Sequence, residues 1–489
     1  MNFLLTTLAL LALLCGQSIA AQRPNIVYIL ADDLGYGDVK VLNPGRGKIA
    51  TPHLDRLAAQ GMTFTDAHSG SSVCTPTRYG LLTGRYAWRT RLQSSVLSDY
   101  VEPLIAADRL TVPGLLKQQG YHTACIGKWH LGYTIEGGAR DGSNEKGALM
   151  GAPLGAVTRD GPVTRGFDTF FGFHHARMMK SLFEQEHVTQ FIEPVDMLPA
   201  LAKRAAAYIG ERAKSGQPFF LYLPLNSPHT PIVPAKEWQG KSGLGDYGDF
   251  VMETDWAVGE ALAALDAAGI ANDTLVFFTA DNGCSPQAGT NKLEQQGHFA
   301  SAQFRGYKAD IWDGGHRVPF FARWPGKIKA GAQNDQLICL TDLMGTCAEI
   351  LGVKLPENAG EDSVSLLPAL LGTESKALRQ SVVHHSINGR FAVREGRWKL
   401  CLCPGSGGWA KPADADAAKQ GLPPVQLYDL STDIAETRNV SAAHPDIVAR
   451  LTRQLEDSIA NGRSTPGAKQ ANDADIVILK SSEAKAAKD

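Results

Sequence analysis

Over the first ~380 residues, short and nearly continuous apolar runs alternate with helix-length amphipathic segments, the βαβ rhythm of a mostly parallel sheet. Three runs, Asn25–Leu30, Phe219–Leu223 and Leu275–Thr279, are rich in β-branched or aromatic residues and read as strands buried on both faces. Thr51-Pro52 opens a helix that Gly61 ends, and a long helix runs from Asp246 to Ala268 before Gly269. From about Ser381 the texture changes. Phe391–Val393 and Trp398–Leu402 read as antiparallel strands, a Gly/Pro/Ala-rich loop spans Pro404 to Pro424, and His444 to Ala460 forms a last helix before Gly462. The pattern predicts an α/β fold: a mostly parallel sheet flanked by helices over 21–380, then a smaller α+β domain with a short antiparallel sheet over 381–463. A polar, loose tail follows over 464–489. No internal repeat is visible.

The first residues change the picture of where the chain works. Met1 to Cys15 is almost wholly apolar, and Ser18-Ile19-Ala20 offers small residues for cleavage, so 1–20 read as an export signal. The n-region lacks Lys and Arg. Cys15 invites a lipid anchor, although bulky Leu14 precedes it. The apolar run is too short to cross a bilayer, and no other run approaches the ~20 residues needed. The expected product is therefore exported, periplasmic or extracellular, or in a lysosomal-type compartment if the source is eukaryotic. A net charge of −2, from 48 basic and 50 acidic residues, lacks the footprint of a nucleic-acid binder. Eight cysteines become seven once Cys15 is set aside, and an odd count asks for one thiol with another task.

Candidate chemistry follows the strands. Asn25–Leu30 runs into Asp32-Asp33, Leu275–Thr279 into Asp281-Asn282-Gly283, and Phe219–Leu223 towards His229. Ligands of open α/β sheets bind beyond the carboxyl ends of the strands. Three Asp and one Asn form an all-oxygen set suited to a hard cation such as calcium. Such sequences also serve as turns and caps; two of them, each after a strand, favour a metal. In Ser72-Val73-Cys74-Thr75-Pro76-Thr77-Arg78, Thr75 is expected to cap a helix beginning at Pro76. Cys74 would then stand at a positive helix end, which attracts anions and lowers a thiol's pKa.

This stretch, continuing through Leu81-Leu82-Thr83-Gly84, resembles the signature of type I sulfatases, in which a Cys in a Cys-x-Pro-x-Arg context becomes formylglycine. A second family pattern is met by Gly120, Tyr121, Thr123, Gly127, Lys128 and His130. The similarity runs from Pro24 to about Trp398 and takes in Ser227-Pro228-His229, Gly306-Tyr307-Lys308 and Gly315-His316-Arg317. The resemblance is to the arylsulfatase A-like group and implies the alkaline-phosphatase-like fold. It further implies that Asp32, Asp33, Asp281 and Asn282 hold calcium together with residue 74, the Cys74 that a formylglycine-generating enzyme makes into formylglycine. Arg78 and Lys128 would orient the hydrated aldehyde and the sulfate, and His130 would help regenerate the aldehyde. His229 and Lys308 would protonate the departing alcohol. The implied activity is sulfuric ester hydrolysis, most simply on sulfated sugars met outside the cell.

One region departs from the family. Ala176 stands where these enzymes often carry a Ser, so His174, His175 and Arg177 become candidate sugar contacts, and Arg177–Asp196 a candidate specificity segment. His316 and Arg317 are read as structural neighbours of Lys308. Two rival readings are a phosphatase or phosphodiesterase on the same fold, which would favour Ser or Thr as nucleophile with two zinc ions, and a sulfated-glycan-binding protein in which Cys74 is never converted.

Overall fold

A computed structural model describes residues 23–138 and 150–480. The expected signal segment 1–20, Cys15 and the final tail residues 481–489 lie outside the described residues. Ten strands form one sheet, in the order Ala332–Asn334, Met62–Phe64, Phe320–Arg323, Thr274–Ala280, Asn25–Asp32, Phe219–Pro228, His122–Lys128, Thr169–Phe173, Ser181–Glu184 and His187–Phe191. The five from Thr274–Ala280 to Thr169–Phe173 are mutually parallel, and antiparallel strands adjoin them on both sides. Each of the three expected strands lies in this parallel centre, running one to five residues further than its apolar run.

Those strands are apolar because both faces are covered. The helix Pro52–Gln60 packs on Asp246–Ala267, which in turn lies against Pro194–Ser215 and the Phe219–Pro228 strand. Every residue of Phe219–Pro228 and Thr274–Ala280 is buried. Such a two-sided core leaves only the strand ends open to carry polar side chains.

The second sheet is antiparallel, in the order Ser381–His385, Phe391–Glu395, Trp398–Cys401, Gln426–Asp429, with the helix Pro445–Asn461 packed on it. The Pro404–Pro424 loop also contains a short helix, Asp414–Lys419. The smaller sheet meets the larger domain at an apolar seam, in which Tyr86, Trp88 and Cys339 pack with Val383, Phe391 and Leu400. Beside it runs a buried polar chain. Lys399 Nζ lies 2.7 Å from Asp313 Oδ1, 2.7 Å from Glu436 Oε1 and 3.1 Å from His316 Nε2. His316 Nδ1 is 3.1 Å from His68 Nδ1, and His68 Nε2 is 2.8 Å from Asp66 Oδ1. One tautomer set satisfies the row: His68 donates to Asp66 and accepts from His316, which accepts from the Lys399 ammonium. His384 stacks on His316 at 3.7 Å.

The polar segment after Gly462, expected to be loose, is tied down through Lys480. Arg85 holds both carboxylate oxygens of Asp473 at 3.0 Å, Arg89 donates to Asn472 Oδ1 at 3.0 Å, and Lys480 Nζ donates to Gln93 O at 2.9 Å. Composition misses this because the partners are two buried arginines far away in sequence.

Burial holds the imidazoles of His68, His316 and His384 below their ordinary pKa; for His316 and His384 the neighbouring imidazoles act in the same direction. A histidine kept neutral when folded binds its proton only on unfolding, so its contribution is complete above the unfolded pKa and is lost as pH falls below it. His316 and His384, held well below the ordinary value, are each expected to cost about 1.4 kcal/mol per pH unit below about 6.5 until the folded ring itself titrates. Thermal midpoints measured from pH 8 to pH 4 should be flat above pH 7 and fall steadily below 6.5; a flat profile down to pH 5 would contradict the neutral cluster.

Candidate active site

The parallel strands deliver the chemistry at their carboxyl ends. Asn25–Asp32 loses its regular register with Phe219–Pro228 after Leu30, and the next residue, Asp33, adopts φ 65°. This break turns Asp32 and Asp33 out of the sheet. The neighbouring strand ends at Ala280, and the Asp281 amide donates to Ala31 O at 3.1 Å. Asp281 Oδ1 accepts from the Asp33 amide at 3.2 Å, and Asn282 Nδ2 donates to Asp33 Oδ1 at 2.7 Å. The four oxygen-bearing residues thus meet across two strand ends.

A third strand brings Lys128, and Gly127 makes that possible. Gly127 has φ 135°, and a Cβ there would lie 1.8 Å from Pro224 O of the adjacent strand. Only glycine allows the strands to approach this closely. The result is a set of buried charges in direct contact. Lys128 Nζ lies 2.6 Å from Asp32 Oδ2, and one Arg78 nitrogen is 2.7 Å from Asp281 Oδ2 and 3.3 Å from Asp32 Oδ1. Lys308 Nζ is 3.0 Å from Asp33 Oδ2 and 3.1 Å from His229 Nε2. His229 Nδ1 lies 2.5 Å from Thr230 O, which fixes the tautomer as Nδ1–H with Nε2 accepting.

Arg78 and Cys74 come from the helix Cys74–Thr83, all of it buried. It starts two residues earlier than expected. Val73 occupies the cap position in an extended conformation, and Thr75 instead accepts a hydrogen bond from the Leu97 amide at 3.2 Å. Cys74 is 2% exposed, and its thiol is pushed up to about 12. Burial is the main cause; Lys128 and Lys308 pull the other way, and Asp281 and Asp32 add to the rise. The helix end therefore does not produce the activated thiolate that its position suggested. All seven cysteines among the described residues are buried free thiols.

The oxygen set fits a hard cation. Donor atoms of Asp32, Asp33, Cys74 and His229 lie within 4.8 Å of one another. Asp32 Oδ1 and Asn282 Oδ1 are buried and accept no hydrogen bond. Burial, then the neighbouring Asp32 charge, raises the Asp281 carboxyl, whereas Asp32, despite its own burial, is held low by Lys128, His229 and Arg78. A cation among these oxygens would relieve the repulsion that lifts Asp281. His68, His316 and His384 form a second compact group. Face-to-face stacking of His316 on His384 and the ammonium of Lys399 beside His316 suit that group to the seam, not to an ion.

The remaining candidates separate. His130 Nε2 is 2.7 Å from Leu97 O, leaving Nδ1 buried without a hydrogen-bond partner, and burial followed by His175 and Lys128 holds the ring well below its ordinary pKa. His175 lies against His130, ring centroids 4.4 Å apart. His174 is fully buried among Tyr100, Tyr133 and His130, a packing position, and Arg177 is exposed. Two residues near Lys308 were not singled out from the sequence, the buried Asp310 and the partly exposed Trp409. Asp310 Oδ1 accepts from the Trp409 and Ala410 amides at 2.9 Å each. The available signal was a tryptophan placed directly after Gly407-Gly408 in an otherwise small-residue loop.

With this geometry in place, comparison with known proteins decides the family. The profile described as Sulfatase matches residues 24–353, and that of the N-sulphoglucosamine sulphohydrolase C-terminal region matches 307–403. The chain belongs to the sulfatase family. Similar relatives include the N-acetylgalactosamine-6-O-sulfatase of Bacteroides thetaiotaomicron, 31% identical over 90% of this chain and 94% of that protein. Arylsulfatase A of Bos taurus is 35% identical over 91% of this chain and 89% of that protein. A solved sulfatase from a Bacteroides thetaiotaomicron locus for glycosaminoglycan metabolism superposes with a TM-score of 0.78 at 30% identity, covering 89% of this chain and 99% of that one. This sulfatase is accordingly a sulfuric ester hydrolase on the alkaline-phosphatase-like fold.

The Gly127→Ala sulfatase should show how tightly the strands must approach. The added methyl forces Pro224 away and moves Lys128 with it, at an expected cost of about 2–4 kcal/mol. Denaturant melts and sulfate-release rates should both fall; an unaltered rate would show that Lys128 tolerates displacement.

Proposed function

We propose that this sulfatase hydrolyses sulfate esters of carbohydrates outside the cytoplasm, with calcium bound and with formylglycine made from Cys74 as the nucleophile. The observation that carries the reading is the cradle itself: buried Cys74 with Arg78, Lys128 and Lys308, which are paired with Asp281, Asp32 and Asp33, and Asn282 bonded to Asp33. A sulfate ester is a permanent anion, so its cleavage calls for fixed positive charge around the oxygens and an acid for the leaving alcohol. Carbohydrate is favoured by the relatives named for N-acetylgalactosamine 6-sulfate chemistry. The apolar leader supports export. A formylglycine-generating enzyme would be the maturation partner.

Asp32, Asp33, Asp281 and Asn282 would hold the calcium, which supplies positive charge to the sulfate and to the group at residue 74. A hydrated aldehyde there would supply one hydroxyl to attack sulfur and a second that, on losing its proton, would expel sulfate by breaking the carbon–oxygen bond as the aldehyde reforms. The residues of the chain do the remaining work. Arg78, pinned by Asp281 and by the Lys128 carbonyl at 3.1 Å, keeps its charge beside residue 74. Lys128, held by Asp32, would place a second charge on the sulfate. Attack breaks the bond between sulfur and the bridging oxygen, and the proton that oxygen needs would come from the Lys308–His229 pair. Burial, then Lys308, lowers His229 to about 4, so it starts neutral and Lys308 carries the proton between them. The free Nδ1 of His130 is the base suited to the later release of sulfate. An unconverted Cys74, protonated at neutral pH, would leave a sulfate-binding pocket with no nucleophile.

Two measurements test this reading. Sulfate release from sulfated mono- and oligosaccharides, by protein co-produced with a formylglycine-generating enzyme, should fall at least ~1,000-fold in Cys74→Ala without a change in fold, as expected when a nucleophile is removed. Mass spectrometry of the peptide around residue 74 reports the conversion, and phosphate esters serve as the competing class. An active alanine variant would sink the proposal. Separately, calcium at about 100 times its dissociation constant should stabilise the fold by about 2.7 kcal/mol, through preferential binding to the native state. That shift should disappear on chelation and be absent from Asp33→Ala; a stabilisation by zinc but not calcium would redirect the metal assignment.

A further inference from the structure

A loop of the smaller domain reaches the segment that bears Lys308, and that loop carries an aromatic ring. Gly408 lies so close to the segment bearing Lys308 that a Cβ would fall 2.3 Å from Ala309 O. Ile311 N donates to Ser406 O at 2.8 Å, and Asp310 accepts from the Trp409 and Ala410 amides while its other oxygen takes the Tyr307 amide at 3.0 Å. One buried carboxylate thus fixes the tryptophan backbone to the residues on either side of Lys308. The indole packs against the small cluster of Val73, Ala309 and Ile387, next in sequence to Cys74, and remains partly exposed. Its ring centroid is 6.0 Å from Lys308 Nζ.

We infer that Trp409 is the stacking platform for the sugar ring that carries the sulfate ester, a substrate contact supplied by the smaller domain. This rests on the carbohydrate reading above and narrows it. The 6.0 Å separation is the deciding length. Within that separation an ester oxygen about 3 Å from Lys308 and a pyranose about 4 Å over the indole, both ordinary contact lengths, fit together. Lys308 cannot itself recognise a ring, being a point charge on a flexible stem. A flat, rigid, partly apolar surface can, through the axial C–H groups of one pyranose face, at low conformational cost. The Asp310 carboxylate accepts both the Trp409 amide and the amide of Tyr307, the residue before Lys308, so ring and acid are placed as a unit. Substrate chemistry is therefore limited to sulfated pyranosides with one unobstructed apolar face.

The test uses matured full-length protein and the best sulfated saccharide from the panel. Trp409→Ala should raise KM about 10-fold with kcat within about twofold, the split expected when binding common to ground and transition states is lost. Trp409→Phe should recover most of the affinity. In a Cys74→Ala background the same sugar should quench tryptophan emission, and the quench should be absent from the Cys74→Ala, Trp409→Phe double variant. An unchanged KM in a stable Trp409→Ala protein, or a quench that survives the double variant, overturns the platform and leaves the carbohydrate reading standing. If Trp409→Ala fails to fold, the fluorescence comparison alone decides. Wild-type protein with formylglycine at residue 74 that releases no sulfate from any pyranoside and shows no quench would overturn both.

Discussion

The contact between Lys128 and Asp32, repeated by Arg78 with Asp281 and Lys308 with Asp33, is the constraint around which this sulfatase is arranged. Buried charges are tolerated only when paired and hydrogen-bonded. Here they come from three parallel strand ends or the residues just beyond them, from one helix and from a more distant loop, so none is satisfied until these elements have come together. Such a cluster is a poor source of stability and a good source of specificity. It fixes the relative positions of groups far apart in sequence.

The legible part of the chain was the part where local pattern and chemistry coincide. Asp32-Asp33 and Asp281-Asn282 could be placed because each follows a run too apolar to be anything but a buried strand, and strand ends in such sheets face the ligand. Strand lengths were underread, since Asn226 and Ser227 look like loop residues although the strand runs through them, past the break in its register, to Pro228. Two local rules failed at Cys74. Thr75-Pro76 has the form of a cap and a first helical residue, yet the Leu97 amide captures the Thr75 hydroxyl. A helix N-terminus lowers a thiol's pKa, yet complete burial outweighs a partial charge.

Interactions spanning many residues were not legible. Lys399 meets Asp313 across 86 positions, and Arg85 meets Asp473 across 388. Nothing in either local sequence distinguishes these groups from solvated surface charges. His174 and His175 adjoin in sequence but not in environment: one is enclosed by tyrosines, while the other lies ring to ring with His130. Neighbouring residues on extended backbone point to opposite sides, so two adjacent histidines seldom share one task.

The anchoring of the C-terminal segment also carries a consequence for biosynthesis. Arg85, Arg89 and Gln93, just past the helix that holds Cys74, find their last partners in Asp473, Asn472 and Lys480. Gln93 and Lys480 are 387 residues apart, so at a synthesis rate of about 5–20 residues per second their pairing waits roughly 20–80 s. Throughout that interval the segment following residue 74 lacks its final clamp. A side chain that ends 2% exposed is reachable by a modifying enzyme only before it is enclosed. The order in which the chain is made thus supplies a time window for chemistry that the finished fold would shut out.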